Sequence, residues 1–518
     1  MFLVAGCTSG TIASNGGAGA GTFTFAQAAA PLSLDIPKHY DGNVMQIMAL
    51  ATEKLEYIST EGELSPGLAT RVTQPDATTL VYTIRKNVKF SDGSILTADD
   101  VVWSLEHVTD VKNGAQTAGN ARSFKSARST APLEVTIELS YPDATARKNL
   151  AVISFIQEAE FAQAHAKDLG TPKAVPVGTG PFKVAAYSPQ AVKLTHNPGY
   201  WGAKPPVDEI NFTFIAEDNT AQLAMRSGDI QGALIGNLKT AGQWKGIRGS
   251  TLYPMPSLSS SFLSLDTTVA PMDDIHVRKA IAYSIDRSGV MSAGYGTYAD
   301  LLQGMVPAGV LSPVAPTPDA AQKFLDGLPQ YGFDPARAKA ELARSKYPKG
   351  FTLTVPYVTG LPSSQLVVLN LEQNMKPLGV TIKPKALTQN QWTAAAYGHQ
   401  EGPQTMLLTA PIPDPMSILS KVTGKENIAP RRFNLANWTT PETEKAYEQL
   451  TTSTDDPVRW KAARTLVASI ADDVPYVPLY NPDNIAVLGG GFTFDMKITF
   501  FDLYINGTWV SALKAGRA

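Results

Sequence analysis

Apolar and polar positions along the chain switch repeatedly between a period of two and a period near 3.6, with turn-forming residues at the changes. The run Thr22-Phe23-Thr24-Phe25, followed by Leu32 and Leu34, predicts a first strand that leads into a loop carrying His39 and Tyr40. Residues 44–55 place apolar side chains at helical spacing, and Leu64-Ser65-Pro66-Gly67-Leu68-Ala69 reads as a turn. Residues 79–85 alternate as a strand, and Val88-Lys89-Phe90 runs into the turn Ser91-Asp92-Gly93-Ser94. A helix start follows at Thr97-Ala98-Asp99-Asp100, ahead of the periodic Val101, Val102, Leu105 and Val108. The Thr97 hydroxyl can accept the Asp100 amide, and two carboxylates sit at the positive end of the helix dipole. Further on, 277–287 has helical spacing, Asp334-Pro335 precedes a helix, and a strand, helix, strand unit runs from Phe351 through Val367-Val368 to Val380-Thr381-Ile382.

With 518 residues, 43% hydrophobic, this pattern can fill two or three domains. The 41 glycines and 37 prolines favour a loop-rich, strand-containing architecture over a helical bundle. Lys plus Arg number 44 against 46 Asp plus Glu, with no long single-sign run, so the basic footprint of a nucleic-acid binder is missing. No segment approaches 18 uninterrupted apolar residues. Six scattered histidines form no metal-ligand spacing, and neither a nucleophile elbow nor a phosphate loop occurs, so no cofactor or metal is expected. A spatial pair of carboxylates would escape such a search, which leaves an extracellular hydrolase as a remote alternative.

The single cysteine, Cys7, excludes an intramolecular disulfide and any cysteine-based zinc cluster. Val4-Ala5-Gly6-Cys7, after Phe2 and Leu3, resembles a bacterial lipobox, in which the cysteine is lipidated; an incidental thiol is the alternative. Residues 8–21, rich in Gly, Ala, Ser and Thr, read as a flexible tether.

Several motifs then occur in a specific order. Leu68-Ala69, Tyr82-Thr83-Ile84-Arg85, Val88-Lys89-Phe90, Ser91-Asp92-Gly93 and Thr97-Ala98-Asp99-Asp100-Val101 come first. Gly178-Thr179-Gly180-Pro181-Phe182, Asn197-Pro198-Gly199-Tyr200-Trp201, Asp208-Glu209-Ile210, Ser227-Gly228-Asp229-Ile230, the 277–287 helix and Asp334-Pro335-Ala336-Arg337 complete the series. The series resembles family 5 of the bacterial ABC-transporter extracellular solute-binding proteins, the oligopeptide, dipeptide and nickel-binding type. The resemblance implies an α/β, two-lobed periplasmic-binding-protein fold of the class II-like, cluster C kind, with a discontinuous first lobe and an extra subdomain. On that basis lobe I comprises 22–256 plus 480–518, with an inserted subdomain at about 45–170, and lobe II comprises 257–479. The chain would cross near 254–262 and return near 476–480. It also implies a binder and not an enzyme, lipid-anchored and extracytoplasmic, monomeric, without a cofactor, serving a membrane permease and its ATPase subunits.

The motifs themselves read as structural, Arg278 and Asp286 as ion-paired or solvated helix positions. Candidate ligand contacts lie elsewhere. Ser259, Ser260 and Ser261 read equally as ligand hydroxyls or solvent-facing strand residues. The stretch Thr409-Ala410-Pro411-Ile412-Pro413-Asp414-Pro415 resembles a family strand-to-loop motif whose aspartate, four residues before the last proline, pairs with a peptide's ammonium group; here that position is Pro411. Asp414 is either its substitute or a turn residue. Arg431 and Arg432, near Asn434, suit a carboxylate or phosphate, or form a solvated loop pair. His39, Tyr40, Tyr357 and Trp392 complete the candidates, a lone tryptophan being more often core. The expected ligand is an oligopeptide or peptide-like molecule, the alternative a sugar, an opine-like compound or another non-peptide metabolite, and nickel is disfavoured without a histidine cluster.

Overall fold

The computed structural model describes residues 21–359, 361–399 and 402–515; Cys7 and the tether as far as residue 20 lie outside them. The first strand is Thr22–Gln27, and it runs at the centre of a seven-stranded sheet. In order the sheet comprises Thr251–Met255, Asn484–Leu488, Gly232–Leu234, Thr22–Gln27, Glu209–Phe214, Ala191–His196 and Phe182–Tyr187. The central strand is parallel to both neighbours, and Phe23 and Phe25 lie fully buried beneath it, each ring 5.9 Å from Trp509. The helix Gly42–Ala51 packs here, buried from Val44 to its end, as its nearly continuous apolar sequence requires.

A four-stranded antiparallel sheet, in the order Ala69–Asp76, Thr79–Ile84, Glu134–Leu139 and Phe124–Ala131, packs on the helix Ala98–Thr109. It has its own core, which includes Leu80, Tyr82, Val101, Leu105 and Ile137. Thr97 caps that helix as its sequence predicts, accepting the Asp100 amide at 3.3 Å while the Asp100 carboxylate accepts the Thr97 amide at 2.8 Å.

A three-stranded antiparallel sheet has Ser259–Ser264 at its centre, Tyr476–Pro478 on one side and Gln404–Thr409 on the other. The predicted strand, helix, strand unit forms beside it as the parallel strands Thr352–Val358 and Thr381–Leu387 joined by Pro362–Met375. Leu263, Val277, Ile281, Val355, Val368 and Leu371 contribute to a separate core at this end.

The backbone passes from the seven-stranded to the three-stranded sheet between Met255 and Ser259, and returns through Tyr480–Pro482 into Asn484–Leu488. Side chains tie the two passages together. Ser257 donates to the Asn481 side-chain oxygen at 2.7 Å, and the Asn481 amide donates back to the Ser257 carbonyl at 2.9 Å.

Three local expectations change. Leu64–Pro66 is a short strand paired with Glu56–Ile58, not a turn, since Pro66 falls on the last paired position where no further ladder is needed. The 277–287 helix is two helices, Ile275–Ser284 and Arg287–Tyr295; Asp286 caps the second by accepting the Gly289 amide at 2.9 Å. Arg278 is buried, and among the described residues it has no ion pair with an acid; it donates to the carbonyls of Asp473 at 2.9 Å and Met272 at 2.8 Å.

Candidate functional site

The strand Gln404–Thr409 is an edge of its sheet, with Ser259–Ser264 along one side only. Leu407 is 51% exposed and Thr409 is also exposed, whereas Met406 and Leu408 point into the core. After the strand, residues 410–413 reach the N-terminal part of the molecule. A Cβ built on Gly62 would lie 3.1 Å from Pro413 Cγ and 3.3 Å from Lys148 Nζ. Gly62 also has φ +83°, so a side chain there would strain the backbone and press on Pro413.

The serine triplet opens on this strand end. Ser259 Oγ and Thr409 Oγ1 share a hydrogen bond at 2.8 Å, and Ser261 bonds the Tyr480 hydroxyl. None of the three faces solvent, all being buried, and the Ser260 hydroxyl has no partner among the described residues. Trp392 is core, its Nε1 likewise unpartnered, and Tyr357 is half-buried against the core of the strand, helix, strand unit.

Asp414 lies apart from solvent. It is fully buried and accepts the Arg459 Nη2 proton at 2.6 Å and the Met416 amide at 3.0 Å, just ahead of the helix Met416–Val422. Its charge is therefore matched inside the fold. Asn434 is also committed internally, donating to the Trp438 carbonyl at 2.9 Å and accepting the Tyr476 hydroxyl at 2.9 Å. Arg431 and Arg432 are exposed, with Arg431 at φ +67°. On the N-terminal loop, His39 Nε2 lies 3.0 Å from Asp41 and its Nδ1 accepts the Leu32 amide at 3.1 Å, while the Tyr40 hydroxyl accepts from Asn120 at 3.1 Å. The candidates thus fall into separate groups: the loop at 39–40, the paired strand ends at Ser259 and Thr409, Tyr357 and Trp392 in or against the core, and the stretch from Asp414 to Asn434.

A buried centre that the sequence did not single out lies at Glu53. Its carboxylate accepts from Trp201 Nε1 and Thr179 Oγ1 at 2.8 Å each, from Tyr57 at 3.2 Å and from Tyr200 at 3.4 Å. Burial pushes its pKa up to about 7 against the opposing pull of these donors. The Arg85 guanidinium stacks over Trp201 at 4.1 Å. The two motifs around Thr179 and Trp201 converge here, 22 residues apart in sequence, and that spacing hid their common partner. Among the described residues no cluster of His, Cys, Asp or Glu is arranged for a metal, and no helix is long and apolar enough to cross a membrane.

Residues 63–430 match the family of bacterial extracellular solute-binding proteins, family 5 Middle. The chain belongs to this family. Like its other members it is a substrate-binding protein of an ABC transporter and not an enzyme. The glutathione-binding protein GsiB of Escherichia coli K12 is 25% identical over 457 residues, covering 85% of each chain. The Helicobacter pylori periplasmic binding protein DppA, solved with the peptide STSA, superposes with a TM-score of 0.76 at 21% identity, over 96% of this chain and 98% of that one. AgaA of A. tumefaciens R10, solved with agropinic acid, gives a TM-score of 0.75 at 22% identity, over 96% and 99%. These likenesses establish the two-lobed α/β binding-protein fold expected from the motifs. The solute-binding protein carries those motifs as supports of the fold, and Glu53 shows how two of them work.

Proposed function

We propose that this solute-binding protein captures oligopeptides or peptide-like small molecules between its lobes and delivers them to an ABC permease with its ATPase subunits. The observation that carries this reading is the one-sided edge strand Gln404–Thr409, whose exposed end leads into a loop that meets Gly62. An extended peptide can hydrogen-bond such an edge through its main chain, which tolerates varied side chains. Lobes 22–256 plus 480–518 and 257–479, with an insert at about 45–170, would close over the ligand about the two passages joined by Ser257 and Asn481. Ligand contacts made only in the closed form would set specificity, and the permease would read that form. Lipidation at Cys7 would hold the monomer at the outer face of the cytoplasmic membrane.

Pro411 in place of an acid, with Asp414 already neutralised by Arg459, favours a second reading in which the ligand is a non-peptide metabolite. The agropinic acid ligand of AgaA is a precedent on this fold. Native mass spectrometry of the purified protein, before and after mild denaturation, separates the two. A heterogeneous set of co-purified peptide masses supports the peptide reading, and one defined non-peptide mass overturns it.

A further inference from the structure

A cavity of about 20 Å³ lies beside the strand Tyr476–Pro478, with Arg287, Gln330, Tyr331, Ala471 and Tyr476 in its wall. Roughly 10–15 Å³ suffices for one water, so the cavity holds one water-sized group and little more. No acidic residue lines it. Arg287 is half-buried and donates Nη1 to the carbonyls of Leu302 and Pro478, each at 3.0 Å. Those two bonds use both Nη1 protons. Among the described residues, Nε and Nη2 have no hydrogen bond and the guanidinium has no ion pair. Burial lowers its pKa, with no acid acting in the opposite sense.

The other polar side chains of the wall spend their donors elsewhere. Tyr331 donates to the Ala471 carbonyl at 2.9 Å, Tyr476 to the Val422 carbonyl at 2.9 Å, and Gln330 Nε2 to the carbonyls of Gln303 at 3.0 Å and Leu328 at 3.2 Å. The surrounding acids are engaged as well. Asp286 accepts the Gly289 amide at 2.9 Å, Asp473 accepts Trp438 Nε1 at 3.1 Å, and Glu341 lies 2.6 Å from His276. Asp472, which acts with Asp473 and Glu341 on the Tyr331 hydroxyl, is exposed to solvent. Two carbonyl dipoles do not cancel a full charge drawn partly out of water. A water in the cavity leaves that charge uncompensated, whereas an anion of similar size cancels it and gains charge-assisted hydrogen bonds.

We propose that this cavity is a chloride site, in which the Arg287 guanidinium holds one monatomic anion through Nε and Nη2. The volume excludes polyatomic anions such as sulfate or a carboxylate. Gln303, Pro329 and Gln330 in the same wall are exposed, so the ion reaches the site from solvent. The site does not depend on what is captured between the lobes. It steadies the arginine that ties the helix Arg287–Tyr295 to Pro478, two residues before the chain turns back through Tyr480.

Crystals of the full-length protein equilibrated with sodium bromide test this directly and need no variant. A bromine anomalous peak within hydrogen-bond reach of Arg287 is expected, and water alone in the cavity overturns the site. In Ala471→Leu, whose larger side chain fills the cavity, the peak should disappear. In solution, exchanging sodium methanesulfonate for sodium chloride at fixed ionic strength should raise the melting temperature saturably, by about 2 °C. Arg287→Gln and Ala471→Leu should melt at the same temperature in both salts. A parent that shows no difference between the salts reduces any bromide peak to binding at crystal concentration only and overturns the site. An undiminished chloride effect in both variants places the ion elsewhere and overturns it as well.

Discussion

Two buried carboxylates in this protein are neutralised by opposite means. Glu53 is surrounded by four uncharged donors and no bonded cation, and burial holds its pKa near 7. Asp414 has a buried arginine at 2.6 Å, with its second oxygen and Arg459 Nε left without partners among the described residues. The first centre is built by motifs from three separated stretches and locks the N-terminal half together. The second ties the segment after the edge strand, three residues past Pro411, to a helix 45 residues further on through one buried ion pair. One centre gathers several neutral donors around a single acid. The other matches one charge with one opposite charge.

The sharpest break of this comparison is Arg459→Met. It leaves Asp414 buried and charged without its partner, and should cost about 3–5 kcal/mol in chemical denaturation. Asp414→Asn should also destabilise, while ligand affinity in the protein that remains folded stays near the parent value. A large loss of affinity with unchanged stability would instead make Asp414 a ligand contact.

Glu53 should respond to pH with a definite sign. Its folded pKa of about 7 lies above the ordinary 4.5 of a glutamate, so the protonated form is the one the fold favours. That contribution is complete below about pH 4.5 and is lost as pH rises through 7, amounting to about 3 kcal/mol on the alkaline side. Glu53→Gln should therefore remove a fall in stability between pH 5 and 8 that the parent shows. A parent and variant with parallel pH profiles would show that the four donors offset burial fully.

Smaller effects test the supports common to both regions. Asn481→Ala leaves Ser257 without its return bonds and should cost about 1–3 kcal/mol, with faster amide exchange at both passages. Thr97→Ala removes one half of a capping box and should cost about 1 kcal/mol, the smallest of the set.

Most of the fold was legible in the sequence, because local rules decide it. Thr97 and Asp334 cap helices as their types predict, and residues 351–382 form the predicted strand, helix, strand unit. Boundaries failed where a neighbour overrode the local pattern, as at Leu64–Pro66, which pairs with Glu56–Ile58. The site was less legible. Hydroxyls at 259–261 point inward because both faces of their central strand are covered, a fact of sheet position that alternation alone does not carry. Glu53 escaped because its donors lie up to 148 residues away.

The reciprocal bonding of Ser257 and Asn481 has a mechanical consequence. Two separate connections would let one half of the molecule both bend and twist against the other. Pinned side by side, they would work as a single pivot if the lobes close as proposed, and opening and closing should then appear as one relaxation and not as two.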